Sequence, residues 1–228
     1  MTESELKEKA NKILEQIRDK NISDEIIIGQ IRENPELIHV KLKTGMNLFM
    51  AAIDCDRLLS AKALSHMGAD IHWTCPAGEG NALNIAKSPE TADALLALGV
   101  EIERNLLLSQ PFRNPAVVAA GRNNTTMLFY WLEKQKEIFA EDKAYVKELF
   151  HAAIRMVSII NQHNMLACVM ADDALFGILQ DIYANLDDVS SIRLCLRSLG
   201  NINDKNLDAR KKELRKTLNA AKKRLSGG

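Results

Sequence analysis

The sequence predicts an all-α fold, a helical repeat solenoid closed at each end by a helical cap. Three observations predict it. The 228 residues include only 5 Pro and 11 Gly, too few punctuating residues for a sandwich or barrel of many short strands. Hydrophobic residues make up 46% and charged residues 26%, the mix of a folded chain and not of a disordered one. Two short landmarks also recur at spacings near 33 residues, the sign of a unit that must stack to bury its apolar face. No linker is long enough to demand independent domains. The division is therefore an N-terminal cap over 1–42, repeats over 43–136, degenerate repeats over 137–203 and a basic terminal helix over 204–228, all in one solenoid domain.

Leu6, Ala10, Ile13, Leu14 and Ile17 fall on one face of a helix over 4–19. A second helix over 24–33 has Ser23 or Asp24 as its N-cap. Residues 43–73 and 78–103 form the first two good repeats. A third covers 114–136, with Pro111, Asn114 and Pro115 punctuating its start. The helix over 141–160 opens with acidic residues, which suit a helix N-terminus. Further helices cover 162–171, 172–186, 188–199 and 204–225.

The first landmark is a Leu-x-x-x-Gly close. Leu64-Ser65-His66-Met67-Gly68 aligns with Leu95-Leu96-Ala97-Leu98-Gly99 and again with Leu196-Arg197-Ser198-Leu199-Gly200. Each glycine reads as a left-handed helix stop followed by a short β-leaning piece. The second landmark is a glycine opening with paired small residues. Gly45-Met46-Asn47-Leu48 matches Gly80-Asn81-Ala82-Leu83, and Ala51, Ala86, Ala119 and Ala153 recur at spacings of 35, 33 and 34.

On these residues the chain resembles the ankyrin repeat family. Its opening is Gly-x-Thr-Pro-Leu-His-x-Ala-Ala and its close Leu-Leu-Leu-x-x-Gly-Ala-Asp-x-Asn. Gly45, Leu48, Ala51, Ala52, Gly68, Ala69 and Asp70 match, as do Gly80, Leu83, Ala86, Leu95, Leu96 and Gly99 in the next copy. The segment 34–41 is similar to a link between such repeats. The departures are the missing Thr-Pro-Leu-His and the absence of any Leu-x-x-x-Gly close between Gln135 and Leu186. Met46-Asn47 and Asn81-Ala82 stand where the family has Thr-Pro, which predicts loss of the capping side chain. His151 falls near the family's own His, so the resemblance implies a residue that braces a turn.

Several chemistries find no support. No phosphate-binding glycine loop, nucleophile elbow or kinase signature occurs, and the five histidines lack metal-pair spacing. The carboxylate pairs Asp172-Asp173 and Asp187-Asp188 sit where helices begin, so capping explains them. We expect no enzyme, no cofactor, no metal and no catalytic residue. The formal net charge is +0, which argues against dominant nonspecific nucleic-acid binding. No stretch approaches a membrane span, and the charged N-terminus lacks the apolar core of a secretory signal. Cys55, Cys75, Cys168 and Cys195 are scattered, which predicts reduced thiols and a cytoplasmic setting, or a host cytosol for a secreted effector. Cys75, beside Pro76, is expected to be the exposed one and the other three buried.

The family implies a protein partner. Trp73 and Phe112 fall in successive inter-repeat loops, flanked by charge. The predicted partner surface is therefore His72, Trp73, Glu79, Arg104, Phe112 and Arg113. Trp73 is read either as an interface anchor or as a residue folded back on Pro76 and the adjacent helix. Trp131 is read as core. The expected function is a protein-binding adaptor or scaffold, with an inhibitor, immunity factor or bacterial effector as specialised forms. The alternative is an anionic-surface binder, for lipid or RNA. From Asp204 onward nine basic residues face three acidic ones, and its candidate contacts are Lys211, Lys212, Arg215 and Lys216.

Overall fold

The computed structural model describes residues 2–75, 80–104, 110, 113–159 and 163–226. Among them are thirteen α-helices and no strand. The β-leaning pieces after Gly68 and Gly99 form turns, with one isolated antiparallel bridge between Cys75 and Gly80. The chain divides into two compact units, Met1–Pro115 and Ala116–Gly228.

The first unit holds α1 (Glu3–Arg18), α2 (Asp24–Glu33), α3 (Leu48–Asp54), α4 (Leu58–His66), α5 (Ala82–Ile85) and α6 (Pro89–Ala97). Helix α1 starts in a capping box, with Thr2 accepting from the Glu5 amide and Glu5 reaching back to the Thr2 amide. Its buried stripe is Ala10, Ile13, Leu14 and Ile17, four of the five residues predicted. Helices α1/α2, α3/α4 and α5/α6 are packed pairs, α1 packs on α3 and α3 on α5, and α2 packs on α4. Small residues permit the close approach, since Ala51, Ala52, Ala61, Ala82 and Ala92 are all buried.

The start of each short helix corrects the sequence reading. Asn47 Oδ1 accepts from the Met50 amide at 2.9 Å and Asn81 Oδ1 from the Leu83 amide at 3.1 Å. Both are caps, so the capping side chain is kept, at the Thr position in Asn81 and one residue later in Asn47. The preceding turns explain the slip. The Leu42 amide bonds the Met46 carbonyl, whereas the Cys75 amide bonds the Gly80 carbonyl, one residue further along. Gly80 therefore corresponds to Met46, and Asn81 to Asn47. On this register Ala52, and not Ala51, is the counterpart of Ala86 and Ala119. Ala153 has no such place, because it lies in the middle of the long helix Lys143–Ile159. Ser23 occupies the N-cap position of α2 but makes no side-chain cap bond.

Two of the three Leu-x-x-x-Gly closes are helix stops. Gly68 has φ +92° and Gly99 has φ +91°. The Ala69 amide bonds the Leu64 carbonyl and the Gly68 amide the Ser65 carbonyl, and Val100 and Gly99 repeat the pattern on Leu95 and Leu96. The third is not a stop, since α12 runs Val189–Asn201, straight through Gly200. Around both Gly99 and Gly200 a Cβ would meet nothing within 4 Å, so only the backbone decides. Gly99→Ala should cost about 1–2 kcal/mol through left-handed strain. Gly200→Ala should be neutral or stabilise by about 0.5 kcal/mol through helix propensity. Urea midpoints of the two variants check both signs.

The second unit holds most of α7 (Pro115–Gly121) and then α8 (Thr125–Ile138), α9 (Lys143–Ile159) and α10 (His163–Ala171). It ends with α11 (Asp173–Ala184), α12 (Val189–Asn201) and α13 (Asp208–Ser226). Helix α9 packs on α8, α10, α11 and α12, and α13 closes the unit against α11 and α12. Trp131, Leu149, Ile154, Leu179, Tyr183 and Ile192 are buried among them, as expected for Trp131. One carboxylate of each pair placed at a helix start acts as a cap. Asp172 accepts from the Leu175 amide at 2.9 Å and Asp188 from the Ser191 amide at 2.7 Å, and hydrogen bonding from the Ser191 side chain and then from its amide holds the Asp188 carboxyl below its ordinary value. Burial pushes the Tyr183 phenol well above its ordinary value.

Two further expectations are corrected. His151 is no turn brace: it sits in mid-α9, its Nε2 3.6 Å from Asp181 Oδ2 on α11. Cys75 is buried, its thiol donating to the Thr44 carbonyl at 3.8 Å, whereas Cys168 is exposed on α10 and Cys55 is half-buried. The bridge to Gly80 draws Cys75 inward under the preceding turn. Cys168 lies on the outer side of a helix whose Leu166 and Val169 point inward.

Candidate functional site

Three surfaces come from the residues upward. The first is the row of turns that join the helix pairs of the first unit. The Asn47 side-chain Nδ2 donates to the Asp70 carbonyl at 2.7 Å and the Asn81 Nδ2 to the Glu101 carbonyl at 2.8 Å. Each cap thus also fastens the next turn. The turns are further laced to one another. Trp73 Nε1 donates to the Gly45 carbonyl at 2.9 Å, and Thr74 Oγ1 donates to Glu103 Oε1 at 3.2 Å. Arg113 Nε lies 3.5 Å from Glu103 Oε2.

Of the six residues predicted for a partner surface, His72 and Arg104 are exposed, while Trp73 and Arg113 are half-buried. Trp73 turns back towards Gly45, the local-packing arm of its sequence reading, though on a different neighbour. Glu79 and Phe112 lie outside the described residues, as do Pro76 and Pro111.

The second surface is the outer face of α13. Three of its cations bond carbonyls of the unit, Arg210 and Lys211 half-buried and Arg224 exposed. Arg210 donates to the Met170 carbonyl and to Asp173, with its guanidinium 4.8 Å from the Phe176 ring centre. Lys211 donates to the Ile202 carbonyl at 3.1 Å and pairs with Asp208 at 2.5 Å. Arg224 donates to the Ala184 and Leu186 carbonyls, both at 2.8 Å. These bonds satisfy carbonyls at the ends of α10, α11 and α12. Lys212, Arg215, Lys216, Lys222 and Lys223 are exposed and share a sector of about 120° of the helix. None of the five has an ion-pair partner among the described residues. Of the four cations predicted to meet an anionic surface, Lys211 is committed inward and the other three face out.

The third surface was not foreseen. An open groove of about 660 Å³ lies between α8, α9 and the start of α11. Its floor is Leu132, Leu175 and the half-buried Phe129, Val146, Phe150 and Ile178. Lys136, Lys143, Lys147 and Glu133 form much of its rim. The signal in the sequence is a second apolar stripe on α9. Beside the core residues Tyr145, Leu149 and Ala153, Val146 and Phe150 add a face that a single buried seam does not need.

No group of three or more His, Cys, Asp or Glu side chains placed to hold a metal occurs among the described residues. Among the same residues no helix is long and apolar enough to cross a membrane. No protein-family model, curated protein or solved structure matches the chain.

Proposed function

We propose that the protein is a protein-binding adaptor built on ankyrin-like stacked helix pairs. The observation that carries this reading is the double use of Asn47 and Asn81. Each caps a helix and fastens the turn that follows, so the turn edge is set before any partner arrives. A preformed edge of that kind binds with little shape change. Inhibitor, immunity factor and bacterial effector are specialised forms of the same activity, none of which needs an enzyme or a cofactor. A cytoplasmic setting accords with the four free cysteines.

Co-purification with mass spectrometry should return one stoichiometric protein. The exposed His72 and Arg104 then provide the test. The double variant His72→Ala, Arg104→Ala should weaken that complex by about tenfold with an unchanged unfolding midpoint. An unchanged affinity removes the turn edge from the interface. Trp73→Ala should instead lower the midpoint, because it deletes a half-buried ring and its bond to Gly45.

The five outward cations of α13 favour a second reading, an anionic-surface contact. Its apolar face is buried by α11 and α12, so such a contact would be electrostatic with no insertion. Vesicles of anionic lipid and a single-stranded RNA, each at low salt, are the probes. Failure of both to bind ends this reading.

A further inference from the structure

We propose that the groove between α8, α9 and α11 is a docking site for an acidic amphipathic helix of a partner protein. The proposal rests on the protein-binding reading above. It uses a surface of the second unit that shares no residue with the turn edge, so the two stand or fall by different measurements.

The walls carry the argument. Helix α9 presents Lys143, Val146, Lys147 and Phe150 to the groove, and α8 presents Phe129, Leu132, Glu133 and Lys136. Both sets are spaced i, i+3, i+4, i+7, so each wall shows one continuous helical face. Along both faces the bulky apolar groups gather away from the α8–α9 turn and the lysines lie towards it. A surface core would bury such groups, yet Phe129, Val146, Phe150 and Ile178 stay half-exposed. The groove is open along its length and is not an enclosed cavity, so it suits a helix that lays one apolar face down.

The charge selects the partner's sign. Glu133 is paired with Lys136 at 3.2 Å. Asp172, at the third wall, caps α11, whose N-terminal partial positive charge offsets its carboxylate. Lys143 and Lys147 are exposed and have no ion-pair partner among the described residues. The uncompensated charge on the rim is therefore positive. A helix with Leu on one face and Glu along its flanks satisfies the floor and both lysines together. A basic helix would meet repulsion.

The test uses the full chain and a labelled peptide of about 18 residues, with Leu at i, i+3, i+4 and i+7 and Glu elsewhere. Fluorescence anisotropy should show binding that weakens as salt rises. The double variant Lys143→Glu, Lys147→Glu should lose about tenfold or more in affinity with an unchanged melting temperature. It should also gain affinity for the Lys-for-Glu version of the peptide, a swap that general loss of folding cannot produce. Val146→Asp should weaken the acidic peptide without reversing its charge preference. No binding below about 100 µM, or equal binding by wild type and the double variant, overturns the proposal. So does capture of a fluorescent long-chain carboxylate in place of the peptide, which would make the groove a fatty-acid site. Loss of the native complex in the turn-edge variant, with the peptide still bound, separates failure at one surface from success at the other.

Discussion

Arg57→Met should destabilise the first unit by about 3–5 kcal/mol, because it removes the cation on which three segments converge. Arg57 is 8% exposed. Its Nε donates to the Ile17 carbonyl at 3.2 Å and its Nη1 to the Ile22 carbonyl at 2.7 Å, while Nη2 donates to the Asp19 carbonyl. Nη1 also lies 3.3 Å from Asp24 Oδ1, which accepts from Ser60 Oγ at 2.8 Å. The end of α1, the α1–α2 turn and the start of α2 are thus tied to α4 by one guanidinium. Removal leaves the carbonyls without their donor and a half-buried carboxylate without its cation, which is the costly case. Arg57→Lys keeps the charge but loses the planar fork, and should recover less than half of the loss. The double variant Arg57→Met, Asp24→Leu removes both charges, so it should be more stable than Arg57→Met alone. Urea unfolding followed by circular dichroism reads all three. A midpoint unchanged in Arg57→Met would remove the clip from the account.

This residue also shows where reading the sequence stops. The α1 stripe and the 24–33 helix were legible because 3.6-residue periodicity and helix ends are local. The two Schellman turns were legible for the same reason, as a glycine after a leucine-rich turn. Arg57 is one of thirty Lys and Arg residues in a short polar loop. Nothing local says that carbonyls from 17, 19 and 22 surround it. The register of the short helices was missed by one residue because it depends on a hydrogen bond across a turn, Cys75 to Gly80. Gly200 misled for a related reason. Its neighbours spell the same close as Gly68 and Gly99, but the chain beyond it continues the helix, and an exposed helical glycine pays only its propensity. The groove stayed hidden because its walls come from three helices. Their side chains, read singly, look like core edge and solvated lysine. On α13 the count of cations was legible. Their division into an inward set and an outward set was not, since it depends on which carbonyls end beside them.

Asn47→Asp should cost about 2 kcal/mol, although Asp caps helices as well as Asn does. The reason is the second bond of the amide. Asn47 is 1% exposed, and its Oδ1 accepts from the Met50 amide while its Nδ2 donates to the Asp70 carbonyl. A carboxylate preserves the first bond. It turns the second into an oxygen facing an oxygen at a residue sealed from solvent. Asn47→Ala loses both bonds and should cost a similar amount, made of about 1 kcal/mol for the cap and the remainder for an unpaired carbonyl. A helix cap with no other role predicts a different order, with Asp near wild type and Ala well below it. The comparison therefore decides between a cap and a fastener without any binding measurement. Asn81→Asp should repeat the result at the next pair, through Glu101 in place of Asp70. If Asp is neutral at both positions, the turns are not held by these amides and the preformed edge loses its physical basis. If Asp is as damaging as Ala at both, the asparagine that begins each short helix also sets the turn of the pair that follows. The spacing of Asn47 and Asn81 is then the true repeat of this chain, with the alanines following from it.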